Sequence, residues 1–455
     1  MSKMSVEQNE PDIEITDGPM ESNNIEKQEN HIPSDDEVYD PRMEQKEAFN
    51  KLKAPKTAEE IKKSKHKKIA IIVIAIIIVL AGIGAAVYFI FFANKKNDEP
   101  AAEAQKEPEK PKFYSKLTGR EIANDGENSL PTYCIQIPNG ADGARPQTGL
   151  DEAGVVFEAI AEAGITRFAA VFQDPQSATI GPIRSLRTYY LDWDTPFDCT
   201  VVHAGGSDEA IQALAVGGYR DLTESYDYMW RDTTSYWAPN NLMTSPALLA
   251  KFNNDHGYNS SALTSFPRLT PDEADDLVSE AREKAEPQQT DCAEGEEGTD
   301  CKATPATPLV TNIAVNFGYV ATFNTTYQYD EQSNTYLRSY ASGEQHLVYS
   351  CADIAKNQPT PRADCGVAKQ IAPSAVAVMM VDEYLDTDNY HHVIKTIGTG
   401  NAYVFQNGTA VKAIWKKDSK SSQIEFRDAD GNVIAFTPGQ LWVAAVPNSS
   451  GSVQY

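Results

Sequence analysis

The chain has 455 residues, of which 41% are hydrophobic and 23% charged, with a formal net charge of −25. That length exceeds one ordinary domain and suits a two-lobed globular part carrying tails. Forty basic against 65 acidic residues exclude long-range attraction to a phosphate backbone, so no nucleic-acid partner is expected, although a local basic pocket is compatible with this balance.

Residues 1–68 are charged and show no apolar period, so they read as a disordered tail. Residues 69–92 (IAIIVIAIIIVLAGIGAAVYFIFF) carry no charge, and a helix of that length spans about 36 Å, enough for a single transmembrane helix. Lys62, Lys63, Lys65, Lys67 and Lys68 precede it, whereas Lys95 and Lys96 follow it next to Asp98 and Glu99. This asymmetry predicts a cytoplasmic N-terminus and an extracytoplasmic remainder in the cell membrane. Sixty-eight upstream residues fit a cleaved signal peptide badly. Residues 93–112, rich in Pro, Glu, Lys and Ala, read as an extracytoplasmic linker.

All six cysteines follow the anchor, and an even number in an exported region favours disulfides. Cys292–Cys301 and Cys351–Cys365 are the local pairs, which leaves Cys134–Cys199. No CxxC spacing suggests a metal, and no cofactor is expected.

Residues 113–267 form the N-terminal lobe. A strand over residues 131–138 leads into PNGADGARPQTGL, where Pro146 restricts Arg145 to extended geometry. Strands over residues 155–160 and 165–172, joined by a four-residue loop, would set Glu158 opposite Arg167, an ion pair that competes with a ligand role for both. Glu162 lies in the turn, and Glu158 with Glu162 is also a candidate glycosidase pair. In IGPIRSLRTYY, Arg184 and Arg187 are three apart and would share a helical face, their guanidiniums suiting carboxylate or phosphate. In VVHAGGSDEAIQALA a strand enters a glycine turn and Ser207 caps a helix. His203 and Ser207 are candidate base and nucleophile, but no GxSxG surrounds Ser207.

These segments (ARPQTGL, GITRF, GPIRSLR and HAGGS) together resemble the YerB-like family of bacterial cell-envelope proteins, named for a domain of unknown function. Arg231 and the run Ala238-Pro239-Asn240-Asn241-Leu242 resemble a further family block that usually reads Ala-Pro-His-Asn-Leu, with Asn240 in place of the His and Asn241 in register. The resemblance covers residues 117–446 and implies layered sheets with helices on one side. Family members are commonly lipid-anchored through an N-terminal Cys, which this chain lacks near its apolar segment.

Residues 268–308 read as an acidic insertion with a helix over residues 271–284, and residues 309–455 as a smaller, mostly antiparallel β lobe. A tyrosine-rich hairpin spans residues 326–340, where Tyr327, Tyr329, Tyr336, Tyr340 and Arg338 form either packing or a sugar platform. Residues 375–381 read as a buried strand, and Asn407-Gly408 marks a two-residue hairpin. Adjacent His391 and His392 would face opposite ways in a strand and cannot chelate together.

The expected fold is therefore α+β, a mixed-sheet lobe with helices followed by the β-rich lobe. The expected function is binding of an anionic or glycan cell-envelope ligand, or of an envelope-enzyme partner, through Arg145, Arg184, Arg187, Arg167, Glu158, His203, Ser207, Arg231 and Asn241. The alternatives are a cell-wall-active hydrolase or transferase using His203, Ser207, Glu158 or Glu162, and a structural scaffold for envelope proteins.

Overall fold

Ten strands contributed by both halves of the sequence lie side by side in one mixed sheet. The computed structural model describes residues 111–141, 143–286, 306–351 and 360–455. The expected tail, transmembrane segment, most of the linker and the Cys292–Cys301 pair lie outside the described residues.

The sheet is built from β1 (Thr132–Pro138), β2 (Val155–Glu162), β3 (Ile165–Gln173), β4 (Thr200–Val202) and β5 (Arg220–Leu222). A four-stranded sheet follows in sequence, with β6 (Asn312–Asn316), β7 (Thr325–Asp330) and β8 (Thr335–Tyr340). The large sheet resumes with β9 (Ala375–Val381), β10 (Gly398–Gln406), β11 (Thr409–Lys417), β12 (Glu425–Arg427) and β13 (Leu441–Pro447), and β14 (Ser452–Gln454) completes the small sheet. The large sheet runs β12-β11-β10-β9-β13-β2-β3-β1-β4-β5 and the small one β8-β7-β6-β14. β13 joins the two halves: it pairs in parallel with β9 on one side and with β2 on the other. The expected lobes thus share a backbone ladder, which local periodicity does not encode.

Alternation along the central strands gives the sheet two apolar faces. One carries Val155, Phe157, Ala159, Val443 and Ala377 and packs on α1 (Thr188–Asp194) and α2 (Asp208–Val216) through Tyr190, Trp193 and Leu214. The other carries Val156, Phe168, Trp442 and Val376 and packs on Ile313, Val315, Tyr327 and Tyr336 of the small sheet and on α3 (Pro246–His256). The result is a sheet-rich α+β fold with several sheets and few helices. Among the described residues, no helix is long and apolar enough to cross a membrane.

Local signals act where expected. β9 occupies the predicted residues, and Asn407 and Gly408 both take positive φ (55° and 69°), as a type I′ hairpin requires. α4 (Pro271–Ala285) starts in a capping box between Thr270 and Glu273. Disulfides join Cys134 to Cys199 and Cys351 to Cys365. Cys134–Cys199 ties β1 to the residue preceding its parallel neighbour β4.

A candidate anion-binding site

The β2–β3 hairpin turns on Ala163 and Gly164 alone, both at positive φ, and a bulge lies between Ile160 and Glu162. Glu158 therefore pairs with Phe168, and Arg167 with Ala159. This corrects the expectation of Glu158 opposite Arg167: a one-residue register change sends the two side chains to opposite faces.

On the small-sheet face, Glu158 is fully buried and accepts from Arg338 Nη2 at 2.9 and 2.8 Å, Trp442 Nε1 at 2.9 Å and Thr166 Oγ1 at 3.0 Å. Arg338 is also fully buried, against Trp442 and Tyr340, so the tyrosines and the arginine on the inner face of this hairpin serve as packing. Its Nη1 donates to His346 Nδ1, which leaves Nε2–H to donate to Gln147 Oε1 at 3.0 Å. Burial, then the Arg338 and Arg145 charges, push the His346 pKa well below its ordinary value. The cluster consists of a compensated ion pair and a neutral imidazole.

On the helix face, Arg167 and Arg187 both bind Glu162, Arg187 Nη2 at 2.6 Å from Oε2. Burial opposes charge on Glu162, but the two guanidiniums outweigh it and hold the carboxyl below the usual range. Arg167 also donates to Ser185 O at 2.7 Å, and Arg187 to Leu186 O at 2.8 Å.

The segment bearing Arg184 and Arg187 is extended, with α1 starting only at Thr188 and Arg187 as its N-cap. The expected shared helical face is therefore absent. Non-local backbone bonds hold the chain straight: Ile183 N–H donates to Leu242 O, Arg184 N–H to Gln136 O, Leu186 N–H to Gly205 O, and Ala204 N–H to Arg184 O. Arg184 is pinned between β1 and the HAGGS turn, and its half-buried guanidinium meets no described group at hydrogen-bond or ion-pair distance. Burial and the nearby Arg167 charge lower its pKa, yet a guanidinium keeps its proton.

Arg184, Arg167 and Glu162 line a surface recess of about 190 Å³ with Asn139, Thr166 and Asn240. Two arginines in the lining, with Arg187 bound to Glu162 behind it, against one carboxylate leave it with excess positive charge. Behind it, Asn139 Oδ1 accepts from Arg145 Nε at 3.0 Å and Tyr340 OH at 2.8 Å, while its Nδ2 donates to Thr166 Oγ1 at 2.7 Å. Arg145 is stacked 3.6 Å over the Tyr340 ring and lies outside the recess lining.

The remaining candidates lie apart from this lining. His203 is buried, with Nδ1 on Gly205 O at 2.7 Å and Nε2 on Asp221 Oδ1 at 2.8 Å, so neither nitrogen serves Ser207. Ser207 Oγ accepts from Ala210 N–H as the α2 cap, and Ser207 N–H donates to Leu186 O, so this helix start is internally used. Arg231 binds Glu224 at 2.5 Å, Tyr226 OH at 3.1 Å and Asn241 Oδ1 at 2.8 Å. Glu158 and Glu162 face different sides of the sheet, each held by arginines, which removes the glycosidase arrangement. His391 binds Asp388 and His392 binds Glu383, and no group of three potential metal ligands occurs among the described residues. Asn139 and Thr166 were not singled out in the sequence; the only local cue for Asn139 is its place at the end of β1.

The fold and recess define a sheet protein whose two halves share one backbone ladder. Residues 117–259 match the N-terminal domain, and residues 313–443 the C-terminal domain, of the protein of unknown function DUF3048. The two matches together cover more than half of the chain, and it belongs to the YerB-like family. The chain is similar to a Bacillus subtilis protein named "Putative lipoprotein YerB", 26% identical over 369 residues, covering 80% of this chain and 93% of that one. The crystal structure of YerB protein from Bacillus subtilis shares the fold, with a TM-score of 0.56 at 24% identity, over 75% of this chain and 100% of that chain.

Proposed function

We propose that this chain is a membrane-anchored, extracytoplasmic binding protein of the cell envelope, and that the arginine recess takes the anionic end of an envelope glycan or polymer. Location is supported by the apolar run at 69–92 with its lysine asymmetry, by the disulfides beyond it, and by a relative named as a lipoprotein. In this reading residues 69–92 are a single-pass helix with the N-terminus in the cytoplasm.

The observation that carries the binding role is Arg184. Its backbone is clamped by β1 and the HAGGS turn, while its guanidinium faces a recess with no partner among the described residues. Arg167 and Arg187 are neutralised in part by Glu162, so the incoming anion supplies the missing charge. A planar guanidinium held in place suits carboxylate or phosphate. Trp237, 84% exposed, stands on the loop that carries Asn240 and offers an aromatic face to a sugar beside the anion. Arg145 contributes through Asn139, and no reaction is assigned.

The test is calorimetric titration of the full-length protein, in detergent, with anionic cell-wall fragments and with inorganic phosphate. Arg184→Ala should abolish measurable binding, and Trp237→Ala should weaken the fragments but not phosphate. Absence of binding, or unchanged binding in Arg184→Ala, removes this reading.

A further inference from the structure

The outer face of the small sheet holds a groove of about 580 Å³, within the roughly 300–1,000 Å³ range of ligand sites. In a chain with 23% charged residues, none of its lining side chains is charged. Carboxamides and hydroxyls line it instead. Gln328, Gln345 and Gln454 are exposed, and their side chains make no hydrogen bond to any described group. Gln370 is preset: its Nε2 donates to Arg338 O at 2.9 Å and Ser339 Oγ at 3.0 Å, leaving Oε1 as an acceptor. Tyr455 closes one end, half exposed, its ring braced 5.2 Å from Phe405.

We infer that this groove is a second binding site, for a neutral oligosaccharide bearing N-acetyl groups. Carboxamides donate and accept at once, as sugar hydroxyls and acetamido groups do, so the two sets pair reciprocally. No charged side chain here selects for an anion. A tyrosine ring gives the apolar face of a pyranose a surface to stack on. The platform is rigid, because alternate residues of the same strands, Ile313, Val315, Tyr327 and Tyr329, are locked in the core. A peptide adding as a strand needs an open edge. At the β8 edge that addition is blocked, with Tyr336 N–H donating to Pro373 O and Arg338 N–H to Ile371 O, and the groove itself lies over the face of the sheet, where side chains line it.

This inference stands independently of the arginine recess. The full-length protein in detergent is titrated with tetra-N-acetylchitotetraose by calorimetry. Saturable binding is expected, weakened about five- to tenfold by Gln328→Ala and by Gln454→Ala, each the loss of one hydrogen-bonding group. Tyr455→Ala should weaken it similarly, and Arg184→Ala should leave it unchanged. Both glutamines are exposed, and thermal unfolding midpoints close to wild type verify that the variants are folded. No saturable binding, wild-type affinity in both glutamine variants, or displacement of the sugar by an uncharged peptide overturns the inference.

Discussion

Glu158 and Arg338, 180 positions apart in the chain, form a fully buried ion pair in which one guanidinium nitrogen reaches both carboxylate oxygens, at 2.9 and 2.8 Å. The pair ties β2 of the large sheet to β8 of the small one. Removing one partner strands a buried charge, at a cost of about 3–5 kcal/mol. Arg338→Met should lose that much in denaturant unfolding, and Glu158→Gln/Arg338→Met should recover part of it. Trp442 donates to the same carboxylate, so its fluorescence reports the change.

His346 makes the stability of this cluster depend on pH. Its folded pKa lies well below the unfolded value of about 6.5. Below that pH the unfolded chain takes up a proton that the folded chain refuses. The contribution is fully present above about pH 6.5 and is lost as pH falls. Relative to His346→Gln, the wild type should lose about 1.4 kcal/mol per pH unit between pH 6 and 5. Parallel stability curves for the two proteins would contradict a buried neutral imidazole.

Glu162 is the counter-charge of Arg167 and Arg187. Glu162→Gln should cost about 2–3 kcal/mol, less than the 3–5 of a fully buried pair because the recess admits water. Millimolar phosphate should then restore part of the lost stability by binding the folded state. A melting temperature of Glu162→Gln that ignores phosphate would count against the recess as an anion site.

Ser207 is a helix cap, and its loss should behave as one. Ser207→Ala should cost about 1 kcal/mol and leave phosphate affinity unchanged within about twofold. A large loss of binding with stability preserved would place Ser207 in the site instead.

The two disulfides should differ in worth. Cys134–Cys199 spans 65 positions and Cys351–Cys365 spans 14. Chain-entropy arguments assign about 4 kcal/mol to the first and about 3 to the second. Replacing each pair by alanines and measuring unfolding should reproduce that order.

Much of the secondary structure was readable from local chemistry. The apolar run 375–381, the Asn407-Gly408 turn, the Ser207 cap and the Thr270–Glu273 box act within a few residues, so composition and spacing suffice to find them. The site was less legible. The β2–β3 hairpin turns at Ala163 and Gly164, and although Gly164 suits positive φ, nothing local announces Ala163 there or the accompanying bulge, which puts Glu158 and Arg167 on opposite faces. Arg184 and Arg187 have helical spacing, but bonds to β1, HAGGS and Leu242 override it.

By itself, the sequence determined the elements, the cysteine pairs visible here and the presence of arginines among glycines and prolines. Tertiary structure decided which arginines are spent. Arg167 and Arg187 share Glu162, Arg145 leans on Tyr340 and Asn139, and Arg338 neutralises Glu158, leaving Arg184 facing the recess. The reason is physical: a buried charge takes whichever partner long-range strand pairing brings within reach, and that pairing depends on register and topology, which local sequence does not carry.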